Sequence, residues 1–129
     1  ERTQERMNVW RQACEAAGRP FDAMEVGLTR AMNLTTSAAE TEAALEARRK
    51  GVTGLYSAFG PLPGLTKQPD SYADPNLATE NASLIGEADE VIGRLKTLEE
   101  MGFEYILFLI PNDTEVLRRF AKDVMPAFA

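Results

Sequence analysis

Apolar residues recur along this chain with two different periods, and the switches between them separate helices from strands. From Glu1 to Ala17, Met7, Trp10, Cys14 and Ala17 fall at helical spacing, which predicts a helix with Trp10 on its packed stripe. Gly18 is placed to cap that helix and Pro20 to stop it. From Met24 to Leu34 the period becomes two: Met24, Val26, Leu28, Met32 and Leu34 alternate with Glu25, Gly27, Thr29, Ala31 and Asn33. That predicts a strand with one apolar face and one small or polar face, interrupted by Arg30 on the apolar side. Ser37, with Glu40 three residues on, has the form of a capping box. In the helix it opens, Leu45, Val52, Leu55, Tyr56 and Phe59 share a face if the helix continues through Gly51 and Gly54.

Between Gly60 and Ser83 no period survives, and Pro61, Pro63, Pro69 and Pro75 stand among Gly, Asn, Asp and Ser. Aperiodic stretches of this length serve as lids, binding loops or linkers. Periodicity then resumes. Ala88, Val91, Ile92, Leu95 and Leu98 predict a helix with an acidic first turn and Gly102 as its cap. "FEYILFLIP" is nearly continuously apolar, the pattern of a parallel strand covered on both faces. Asn112 with Glu115 predicts the start of a last helix, packed through Val116, Leu117, Phe120, Ala121 and Val124. Strands alternating with helices imply right-handed crossovers and an α/β fold with a parallel sheet. Only two strands are convincing, and two strands beneath several helices leave hydrogen-bonding edges open.

Composition narrows the function classes. The 129 residues carry a formal charge of −6, which argues against a polyanion partner, because phosphate neutralisation needs clustered cations. Arg48, Arg49 and Lys50 are the densest basic run and read as a solvated face. The single cysteine, Cys14, excludes an intrachain disulfide and a thiolate metal cage, and a reduced, cytoplasmic setting is expected. No metal site and no membrane helix are expected, since no apolar run approaches the roughly 18 residues a span needs. The absence of histidine removes the commonest general base.

"LIGEADEVIGRLKTLEEMGFEYILFLIP" followed by "TEVLRRFAKDVMPAF" resembles the C-terminal end of the bacterial luciferase-like monooxygenases. Members of that family commonly end with a Gly, an acidic helix start, a "GF" or "GV" turn, an apolar strand and a closing helix. Those features correspond to Gly86, Glu87 to Val91, Gly102-Phe103, Tyr105 to Pro111 and Phe120 to Phe128. "MEVGLTRAMNLTTSAAETEA" is similar to the penultimate strand of the family's barrel. The resemblance implies the C-terminal part of a (β/α)8 barrel, an architecture of about 250 residues when complete. Strand seven would lie at about 24–34, a mobile insertion at about 60–83, strand eight at about 103–110 and the closing helix at about 114–128. It further implies a flavin-dependent monooxygenase or oxidoreductase using reduced FMN or F420, with O2 and a small organic molecule as reactants. The insertion would then act as an active-site lid. The family's catalytic residues would lie on earlier strands, upstream of Glu1, so none is expected in this chain and the chain alone is expected to be inactive.

Barrel chemistry gathers at the C-terminal ends of strands, here Asn33, Thr35 and Thr36, then Asn112 and Asp113. Asn33 ends the small, polar set and is a candidate for a polar contact to cofactor or substrate, the alternative being a loop-capping amide. Arg30 is the second candidate: it either pairs with an anionic substrate or flavin phosphate, or neutralises a carboxylate such as Glu25. Asn112, Asp113 and Ser37 read as helix caps. The helix starts carry Glu40, Glu42, Glu87, Asp89, Glu90, Asp113 and Glu115, so phosphate is not expected to bind there. The competing expectation is a non-enzymatic α/β module that self-associates, or binds a protein partner, through its open sheet edges.

Overall fold

A computed structural model describes residues 2–59, 74, 76, 79 and 82–129. The chain is α/β, with helices α1 (Arg2–Ala16), α2 (Ala38–Phe59), α3 (Ala88–Glu100) and α4 (Thr114–Arg119). Its strands β1 (Gly27–Leu34), β2 (Ser83–Gly86) and β3 (Tyr105–Leu109) form one parallel sheet in the order β2-β1-β3. The insertion expected at 60–83 lies, apart from Asp74, Asn76, Thr79, Ala82 and Ser83, outside the described residues.

Helix ends follow local chemistry closely. Gly18 and Gly102 both adopt positive φ, at 66° and 88°. In each case the next amide reaches back to the carbonyl five residues earlier, Arg19 to Cys14 at 3.0 Å and Phe103 to Leu98 at 3.1 Å. These are Schellman caps, and the second is sealed by packing of Phe103 with Leu98. α2 runs unbroken through Gly51 and Gly54, where an added Cβ would meet nothing within 4 Å. Its start differs from a reciprocal capping box. Ser37 Oγ accepts from the Glu40 amide at 3.3 Å, but the Glu40 carboxylate accepts from the Thr36 amide rather than that of Ser37. The last helix is capped by Asp113, one of the two caps expected there, its carboxylate accepting from the Glu115 amide at 2.9 Å.

Several expectations from periodicity are corrected. Ala23–Glu25 is a 3₁₀ turn capped by Asp22, so Met24 lies outside the strand and is exposed. Trp10 is 44% exposed, whereas Met7 and Cys14 are buried. On α2, Val52 is buried and Leu55 exposed, while the side chains of Tyr56 and Phe59 are outside the description. β2 is a third strand that the pattern did not reveal. Among the described residues β3 is covered on one face only: Tyr105, Leu107 and Leu109 are 42%, 46% and 57% exposed.

Register explains that asymmetry. Leu28, Arg30, Met32 and Leu34 of β1 share a face with Leu84 of β2 and with Ile106 and Phe108 of β3. Val91 and Leu95 of α3, Val116 of α4 and Val124 pack on this face, and Met7 of α1 joins Leu28, Leu98, Phe103 and Ile106 beside it. The opposite face carries Gly27, Thr29, Ala31 and Asn33, then Ser83 and Ile85, and the exposed row of β3. The crossover from β1 to β2 and that from β2 to β3 run in opposite directions across the sheet. Right-handed crossovers therefore set α2 and α3 on opposite faces. α2 contacts β2, where Ser83 and Ile85 are buried, and no described helix covers the β1–β3 half of that face.

The strand order has a second consequence. In a barrel wound in chain order each strand lies beside the next, which would set β2 between β1 and β3. Here β1 is central, the arrangement that begins open doubly wound sheets.

Candidate functional site

The C-terminal ends of the three strands converge where β1 passes into α2. The Thr35 amide donates to the Gly86 carbonyl at 3.0 Å, tying the end of β1 to that of β2. The Thr35 and Thr41 hydroxyls are 2.6 Å apart. The Thr36 amide and hydroxyl both donate to one Glu40 carboxylate oxygen, at 2.6 and 2.7 Å. These two bonds, that of the hydroxyl foremost, hold the Glu40 carboxyl below the usual carboxylate range, and the charge of Arg119 adds to the effect against a small cost of desolvation. Arg119 itself donates from Nη2 to the Leu34 carbonyl at 2.6 Å, while its Nε is buried without a hydrogen-bond partner. At the end of β3, Asp113 caps α4.

Most polar groups at this end of the sheet are thus engaged in holding the backbone. Asn33 is the exception in position: it is half-buried on the open face, in register with Ile85. Arg30 is three residues away, an odd step, and so projects to the opposite, helix-covered face. There it donates to Thr3 Oγ1 at 3.2 Å and to the Thr29 carbonyl at 3.1 Å. Burial, and then the neighbouring Arg6, lower its pKa. Glu25, the carboxylate expected to neutralise it, is paired instead with Arg19. The structure therefore does not bring the two candidates to one ligand. The residue that sequence reasoning passes over is Arg119, while Thr36 is expected at this end by its position alone. Glu40 signalled a cap, but nothing local indicated which amide it would take or that a cation 79 positions on (119 minus 40) would sit near it.

The open face offers an apolar floor: Gly27 and Ala31 leave a shallow strip beside Tyr105, Leu107 and Leu109. Thr29 and Asn33 are the polar side chains on β1 that border it. The Asn33 amide can both donate and accept at the border of this strip. Among the described residues of the three strands, this face carries no cation. No cluster of three or more metal-ligating side chains occurs among the described residues, and no described helix is long and apolar enough to cross a membrane. No protein-family model matches this chain, and no curated protein matches it either.

Proposed function

We propose that the chain forms part of a flavin-dependent monooxygenase or oxidoreductase of the luciferase-like class, as an arc of its (β/α)8 barrel. One observation carries the reading: α1, α3 and α4 lie on one side of the β1–β3 pair, and the other side is an uncharged floor of small and apolar residues. A barrel wall has helices outside and such a face toward the interior; α2, set over β2 on the other face, is the one described helix that departs from that arrangement. In this reading Asn33 contacts the FMN or F420 ring, O2 and a small organic substrate react above it, and the chain's share is barrel closure and, through the 60–83 insertion, a lid. A cytoplasmic enzyme is the natural setting.

The strand order favours a second reading. A sheet with β1 central and two outer edges unpaired among the described residues suits a non-enzymatic module that associates through those edges.

The test is to purify the gene product carrying this chain, denature it, and examine the released small molecules. Release of FMN or F420, together with O2 uptake on supply of reduced FMN, is the expected outcome. Asn33→Leu should weaken flavin binding about tenfold, the loss of one hydrogen bond at roughly 1.4 kcal/mol. Arg30→Gln, on the far face, should leave flavin affinity unchanged. A product that binds neither cofactor and elutes as a stable dimer would establish the second reading instead.

A further inference from the structure

Pro126 lies near the chain's C-terminal end, and its missing N–H and its ring prevent an α-helix from continuing through it. α4 accordingly gives way after Arg119 to a π-helical turn, Phe120–Val124, and then to a 3₁₀ turn, Met125–Phe128. The Met125 amide reaches back five residues to the Phe120 carbonyl. The widened turn swings Phe120, Met125 and Phe128 around a groove of about 680 Å³, whose other wall is α3 and the start of β3. That volume is within the range of small-molecule sites, roughly 300–1,000 Å³. Single π turns of this kind often accompany functional sites.

The walls of the groove are Leu95, Phe103, Ile106, Phe120, Met125 and Phe128. Phe120 is fixed edge-on against Phe108, with ring centroids 5.1 Å apart. Among the described residues, Glu99 and Glu104 are the charged side chains lining the groove, and both are exposed at its margin. The Arg11 guanidinium approaches Gly102 nearby but is laid over the Phe21 ring, 4.8 Å from its centroid. Three aromatic rings and two carboxylates, with no cation among the described lining residues, define a chemical preference. We propose that this groove binds an organic ammonium ion with an aromatic or aliphatic body. The body displaces water from the apolar walls, and the ammonium group lies between the two carboxylates, within reach of the rings' negative faces. The groove is on the helix-covered side, so this proposal stands or falls apart from the flavin reading.

Three probes of one shape and different charge test it: phenylbutylammonium, phenylbutanol and phenylbutyrate. With the methionine methyl groups carbon-13 labelled, Met125 reports occupancy of the groove and exposed Met24 serves as the control. The ammonium probe should shift the Met125 signal saturably, and bind about tenfold more tightly than the alcohol and more tightly still than the carboxylate. Raising salt should weaken the ammonium probe alone. The double variant Glu99→Gln, Glu104→Gln alters only exposed side chains, and should bring ammonium and alcohol to equal affinity. Equal binding of all three probes, no saturable shift at Met125, or charge preference that survives in the double variant would overturn the proposal.

Discussion

Gly102 and Gly51 show how differently one residue type acts at two points in the chain. Gly102 is held at a φ of 88°, in the left-handed region, by the cap that turns α3 toward β3. Gly102→Ala should destabilise the fold by about 1 kcal/mol, whereas Gly51→Ala, inside α2 with open space around it, should stabilise it by about 0.5–1 kcal/mol. Urea unfolding of the two variants checks both signs. Glu40 gives a pH prediction. Its folded pKa lies below the ordinary value of 4.5, so its contribution is present above that value and is lost as acid titrates the carboxylate through its lower folded pKa. A carboxyl carbon-13 titration should place the Glu40 midpoint below 4.5, and Thr36→Val should move it back upward. Sequence logic found these capping residues because a cap needs only chemistry within a turn or so. It mistook which amide Glu40 would serve, as the Thr36 contact shows, and did not separate Asn112 from Asp113 as the cap of α4.

Elements were legible in proportion to how many periods they display. α3 shows more than three turns of stripe, and of the five residues the spacing named, Val91, Leu95 and Leu98 are buried while Ala88 and Ile92 are half-buried. β2 has four residues, two to a face, too few for alternation to stand out beside an aperiodic stretch. β3 misled for a different reason. An apolar run fits a strand buried on both faces, yet the run cannot reveal whether a second layer exists to cover it. The two faces should consequently respond differently to substitution in this chain. Leu84→Ala, at a site only 2% exposed, should cost about 2–5 kcal/mol, whereas Leu107→Thr should stay within about 0.5 kcal/mol. Thermal or urea unfolding of both variants measures the contrast. The same parity rule separates Asn33 from Arg30: alternation assigns them to opposite faces, so only the occupant of each face remained to be found from the structure.

For the whole molecule, strand order matters more than strand count. β1 has a hydrogen-bonded neighbour on each side, and β2 and β3 each have one among the described residues. Amides in the middle of β1 should therefore exchange with solvent most slowly, and those of Tyr105–Leu109 that point away from β1 much faster, which hydrogen exchange resolves residue by residue. The α/β class followed from alternating periods, but neighbour order did not, because pairing joins segments whose periodicity is identical whichever strand lies beside them. It was also this order, with β1 in the middle, that the resemblance to a chain-ordered barrel did not anticipate.

The bond from Arg119 to the Leu34 carbonyl joins residues 85 positions apart, across the end of the strand that the chain completes first. Met32 and Leu34 of that strand are buried in one cluster with Val116 and Val124, which follow far later in the chain. During synthesis the central strand consequently waits for part of its cover until Val116 and Val124 have left the ribosome. A nascent chain halted before Thr114 would hold Val91 and Leu95 against Met32 and Leu34 but lack Val116 and Val124, so full protection from chaperones or proteases should arrive only with residues 114–124.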